Sequence, residues 1–206
     1  PGGARMATEE EAAQHRVVTD AMHAAGGKIA MQILHFGRYA YQPGLVAPSA
    51  LQAPINPVVP HALTSDEVEQ TIEDFARCAA LAQHAGYDGV EVMGSEGYLI
   101  NEFIAARSNQ RDDDWGGSIA NRCRLHLEIA RAVAAEVGAA RTGIRLSPFG
   151  VANDSGEDDP LPLYTHLVTE LAKLDLVYLH LIEPRASGTG KADIVRDGQP
   201  SVAARL

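Results

Sequence analysis

The chain has 206 residues, 46% of them hydrophobic and 21% charged, with a formal net charge of −10. This is an ordinary globular composition, long enough for one sizeable core, and residues 1–206 read as a single domain. The acidic balance excludes nucleic acid and anionic membrane as partners, since both need a basic face. No run of about 18 apolar residues occurs, so no transmembrane span is expected. The first ten residues hold no apolar signal core, which points to the cytoplasm. The chain starts at Pro1 rather than Met, which reads as processing or excision from a longer frame.

Thr8 and Glu11 have the spacing of a capping box, in which hydroxyl and carboxylate satisfy orphan N–H groups at a helix start. The helix that follows carries Val17, Val18, Ala21, Met22 and Ala25 and stops at Gly26-Gly27. Residues 28–34 (KIAMQIL) read as a buried strand, and residues 35–63, with five prolines, as a long loop. Thr64 and Glu67 form a second capping box. Behind it Val68, Ile72, Phe75, Ala79 and Ala82 make one stripe of helical period, ended by Gly86.

Residues 89–93 form the next strand, and residues 94–117 a loop of glycines, aromatics and charges. A helix is predicted over 118–137, with Cys123, Leu127, Ala130, Ala134 and Val137 on one face and Gly138 as its stop. A strand over 143–146, a helix over 162–173 and a strand over 176–182 follow. The tail from Pro184 is polar and poorly patterned. Cys78 and Cys123 fall on helices without ligand spacing and read as core residues in a reducing compartment.

Four apolar strands separated by amphipathic helices imply parallel β/α units. No GxGxxG follows any strand, so a dinucleotide-binding doubly wound sheet lacks its fingerprint. A TIM-type (β/α) barrel fits better. In such a barrel the loop after a strand's C-terminal end is where chemistry sits, and a loop as long as 94–117 is usually functional.

The segment GYDGVEVMGSEGYLINEF, followed by NQRDDDWGGS and Asn121-Arg122, resembles the fourth β/α unit of the old yellow enzyme (NADH:flavin oxidoreductase) family. Residues 28–115 are most similar to bacterial 2,4-dienoyl-CoA reductases. From residue 116 to 185, GGSIANR, GIRLSPFG, NDSGEDDP and YLHLIEPR are more similar to classical ene-reductases. The resemblance implies an incomplete barrel holding strands three to six of eight. It implies FMN as cofactor and NAD(P)H as reductant, with hydride passed to an activated C=C in an enone or 2,4-dienoyl thioester. No iron–sulfur cluster is expected, because no cysteine spacing matches one.

Read alone, Gln32 is a polar group capping a strand end. Arg145, inside an apolar strand, needs a partner, and Glu91 on the preceding strand is the ordinary one. Tyr98 after Gly97 is a packing anchor. The resemblance gives these residues further roles. It implies that Gln32 hydrogen-bonds the flavin pyrimidine and that Arg145 stabilises charge on the reduced flavin. It implies that Tyr98 donates the proton and that Glu96 and Tyr98 line the substrate site. Met93 and Glu96 stand where classical ene-reductases hold the substrate carbonyl.

His35 and His180 read as structural. Asp112, Asp113 and Asp114 read as a solvated run, with no metal site. Trp115, Gly116, Gly117, Asn121 and Arg122 match the family's signature at a helix start, and the resemblance implies that they position the loop. The rival class is a truncated, non-catalytic half barrel, kept as an inert remnant or as an assembly partner; a homo-oligomer is one such assembly. A metal-dependent hydrolase using the aspartate run is a third reading.

Overall fold

The computed structural model describes residues 5–182. Helix α1 spans Glu9–Ala24, and the Thr8 hydroxyl accepts the Glu11 N–H at 3.2 Å. The Glu11 carboxylate takes the N–H of Ala7 at 2.7 Å, one residue before the place a full capping box requires. Strand β1 is Ala30–Ile33. The long prolyl loop is not structureless, as its turn residues suggest. It holds a short 3₁₀ turn at Gly37–Tyr39 and a two-stranded parallel pair, β2 (Val46–Ala47) with β3 (His61–Ala62). Pairs of two residues are too short to show a period.

Helix α2, Ser65–His84, opens with the complete capping box of Thr64 and Glu67. Strand β4 is Gly89–Met93. The loop after it contains a further helix, α3 (Leu99–Ile104), where the sequence predicts none before residue 118. All six residues of α3 are buried, so it shows no amphipathic stripe to read. Ser118 caps α4, Ile119–Val137. Strand β5 (Thr142–Leu146), helix α5 (Pro160–Ala172) and strand β6 (Tyr178–Leu181) complete the order. The polar tail from Pro184 lies outside the described residues.

The main sheet runs β1-β4-β5-β6, every pair parallel. Neighbours in space are thus successive β/α units, as in singly wound barrels. Right-handed crossovers then put the helices on one side. Helix α2 packs on α4, α4 on α5, and α1 on α2. Under them Ile33, Val90, Val92, Ile144 and Leu146 join Phe75, Leu125, Ile129 and Leu167 in one core. Because side chains alternate along a strand, Gln32, Glu91, Arg145 and His180 project from the opposite face. That is why β1, read as buried on both sides, exposes Ala30 and Gln32. On α1, Val17, Val18 and Met22 lie in solvent, while Ala12 and Thr19 are buried.

Among the described residues, no helix is long and apolar enough to cross a membrane.

Candidate active site

Register places Gln32 beside Glu91, Met93 beside Arg145, and Arg145 beside His180. The result is a polar ladder across the helix-free face. Gln32 donates its amide N–H to Glu91 Oε1 at 2.7 Å, and His180 Nδ1 lies 2.9 Å from Glu91 Oε2. Partial burial raises the Glu91 carboxyl. Hydrogen bonds from His180, Gln32 and Tyr178 outweigh it and hold the group below the usual carboxylate range. Tyr178 lies beside Gly143, where an added Cβ would sit 2.4 Å from the phenol ring. Its hydroxyl is pushed up to about 12 by burial and by the charge of Glu91.

Glu91 is therefore not the partner of Arg145, contrary to the sequence reading. Arg145 Nη2 instead lies 3.5 Å from Glu96 Oε2, and Nη1 reaches Met93 Sδ at 3.9 Å. In this register Arg145 lies opposite Met93, two residues beyond the level of Glu91, and Gln32 and His180 already hold Glu91. Arg145 Nε is buried with no hydrogen-bond partner.

Glu96 and Tyr98 sit in the turn after β4, at the C-terminal end of the sheet. Glu96 adopts a left-handed backbone, φ 59°. Its N–H donates to Ser147 Oγ at 2.9 Å, and Asn153 Nδ2 donates to its carbonyl at 2.8 Å. Gly97 follows at φ 78°, where a Cβ would fall 2.5 Å from that of Asn153, so only glycine fits. Tyr98 is half-buried, and its ring meets Phe36 edge-on, centroids 5.5 Å apart. Arg145 and Glu96 are thus brought together. Gln32 engages Glu91 and Tyr98 engages Phe36 instead.

Several residues that hold this loop carry no sequence signal as site residues. Asn101, fully buried, accepts the Gly97 N–H at 2.8 Å and donates to the Tyr164 hydroxyl at 3.3 Å. His126 of α4 lies with Nε2 3.0 Å from the carbonyl of Gly94, and burial pushes its imidazole down to about 4. A neutral ring next to a carbonyl must donate from Nε2. Glu102 accepts the Arg38 N–H at 3.0 Å, and burial raises its carboxyl to about 8 although Arg38 works against this. Asn101 and Glu102 lie inside the NEF motif and could have been found there. His126 flanks the predicted stripe of α4, three residues after Cys123 and four before Ala130, but a polar ring there gives no apolar signal.

Asp113 of the aspartate run is not simply solvated. It pairs with Arg111 and accepts from Ser65 and from the Trp115 N–H. Among the described residues, no group of acidic, histidine or cysteine side chains could hold a metal ion. Burial raises the Cys78 thiol to about 11 and Cys123 to about 12, so neither is a ready nucleophile. A cleft lined by Lys28, Gly86, Asp88 and Arg141 lies at the opposite end of the strands and holds none of the ladder.

Sequential parallel strands, helices on one side and polar groups at the C-terminal end define a (β/α) barrel segment of the TIM type. The chain belongs to the NADH:flavin oxidoreductase / NADH oxidase family, whose model matches residues 1–202. It is 39% identical over 200 residues to 12-oxophytodienoate reductase 2 of Arabidopsis thaliana, covering 89% of this chain and 54% of that protein. The fold superposes on morphinone reductase with a TM-score of 0.86 at 36% identity, covering 94% of this chain and 57% of that one. It also superposes on the old yellow enzyme homologue from Zymomonas mobilis, with a TM-score of 0.89 at 34% identity and coverage of 97% and 59%.

The chain spans about half the length of the curated relatives it matches. The barrel is accordingly incomplete. These relatives agree with the likeness to classical ene-reductases, and the finer likeness of residues 28–115 to 2,4-dienoyl-CoA reductases is not shown by them.

Proposed function

We propose that this chain is a partial FMN-binding barrel domain of an NAD(P)H-dependent ene-reductase. The observation that carries the reading is on the helix-free sheet face. There an exposed Gln32 amide lies across the ladder from Arg145, whose Nε is buried and unpartnered. A flavin pyrimidine fits this donor set, since its carbonyl and N–H edge can use an amide and a guanidinium together. FMN held there would supply the hydride chemistry that links NAD(P)H to an activated C=C.

The chain's own residues do the rest. Gln32 orients the ring edge. Arg145 favours negative charge there by a fixed cation already in place. Tyr98, at the mouth of the β4 turn, holds the proton that the substrate carbon receives. Glu96 lines the same mouth. The substrate class is an α,β-unsaturated carbonyl compound. A 2,4-dienoyl thioester is the second reading, favoured by Met93 and Glu96 in that turn. A cytoplasmic setting accords with two unpaired thiols, Cys78 and Cys123.

The test is a redox cycle on FMN-loaded protein without oxygen. NADH or NADPH should bleach the flavin band, and 2-cyclohexen-1-one or a dienoyl thioester should restore it. A band that bleaches and is restored by neither acceptor contradicts the ene-reductase reading.

A further inference from the structure

We infer that Glu96 is a positioning residue for the flavin site. Its carboxylate holds the Arg145 guanidinium and offsets the charge Arg145 presents to the cofactor. This rests on the proposed function and deepens it, because the effect is felt only by a group bound against Arg145.

The first observation is backbone strain. Glu96 is a β-carbon-bearing residue in the left-handed region, at φ 59°, which L side chains rarely adopt. The strain is kept by two hydrogen bonds. Its N–H goes to Ser147 Oγ and its carbonyl accepts from Asn153 Nδ2. Both partners lie in the segment directly after β5, the strand that carries Arg145. The clamps that maintain the strain therefore also fix where the Glu96 side chain leaves the backbone relative to Arg145.

The second observation is the pairing itself. Among the described residues, the ion pair that Arg145 makes is with Glu96, at 3.5 Å, with the two side chains 24% and 30% exposed. The other contact of its guanidinium is a weak one, to the Met93 thioether at 3.9 Å. Glu91, on the neighbouring strand, is taken by Gln32 and His180. The loop carboxylate is thus the group that sets the orientation and the effective charge of this arginine.

An isolated cation at the pyrimidine edge would bind reduced FMN, which carries more negative charge, more tightly than oxidised FMN. A carboxylate at 3.5 Å opposes that preference. Removing the carboxylate should therefore shift bound flavin toward the reduced form.

The experiment compares the FMN-loaded wild-type chain with Glu96→Gln and Glu96→Asn. The first removes the charge and keeps the strained backbone. The second removes the charge and suits a left-handed backbone, which Asn tolerates. The readout is the midpoint potential of bound FMN by anaerobic dye equilibration, which gives the ratio of affinities for reduced and oxidised FMN. Both variants should raise the potential, shifting the ratio by about tenfold toward the reduced form. An unchanged ratio in both, with FMN retained, overturns the assignment. A shift in Glu96→Asn alone also overturns it, since strain and not charge would be the cause. Wild-type protein that retains no FMN overturns the proposed function itself, and this assignment with it.

Discussion

Tyr98→Phe is expected to leave reduction of bound FMN by NAD(P)H largely unchanged and to slow reoxidation by an enone by about 10²–10⁴-fold. The argument is local. Tyr98 stands at the N-terminal boundary of α3 with an extended backbone, and its side chain makes no capping hydrogen bond there. Its ring is held by the edge-on contact with Phe36. Phenylalanine keeps that ring and that contact, so the turn should keep its shape. Only the hydroxyl is lost. A step that needs no proton from the protein at this position is untouched, and the step that delivers a proton to carbon loses its donor. Stopped-flow absorbance separates the two half-reactions. Equal reoxidation rates for variant and wild type would remove Tyr98 from the chemistry.

Arg122→Ala is expected to cost about 3–5 kcal/mol of stability, against a total of roughly 5–15 kcal/mol for a domain of this kind. Arg122 is 8% exposed. Its guanidinium donates to the carbonyl of Ile104, at the end of α3, to the Gly117 carbonyl, and to Glu157 Oε2 at 2.7 Å. Glu157 also accepts the Ala106 N–H at 3.1 Å. One side chain thus ties the β4 loop, the start of α4 and the segment after β5. Truncation leaves a nearly buried carboxylate and a helix-end carbonyl without their donor. Urea unfolding followed by the fluorescence of Trp115 measures the loss. A change below about 1 kcal/mol would show the network to be redundant.

The contrast between these two residues bears on what a sequence can reveal. The loop-positioning role of Arg122 is implied by the family resemblance of GGSIANR, not by any local period. The helices were readable from local pattern instead. Val68, Phe75, Ala79 and Ala82 are buried as their 3.6-residue spacing predicts, and Gly86 and Gly138 end their helices at positive φ. Helix α3 was not readable. Six consecutive buried residues carry no period, and their helical state is set by the elements packed around them. Helix α4 was half readable. Of its predicted stripe Cys123, Leu127, Ala130 and Val137 are buried and Ala134 only partly, while Leu125, His126, Ile129 and Val133 are buried as well, because α2, α3 and α5 all pack on it.

Pairings across the sheet were the least accessible. Arg145 plainly needed a carboxylate, but the choice between Glu91 and Glu96 depends on register and on a strained turn, and neither is written in local pattern. The open face of β1 was hidden for another reason. An apolar run such as KIAMQIL reads as buried on both sides, whereas Gln32 in fact faces the ladder.

The measurement that tests the reading most directly is the absorbance spectrum of the 206-residue chain after mixing with excess FMN and desalting. Retention of the blue flavin band is the expected result: it would mean that this chain, with its ladder of Gln32 and Arg145, holds the cofactor. A colourless protein would contradict it, and the chain would then carry the family's loop and ladder without a working flavin site.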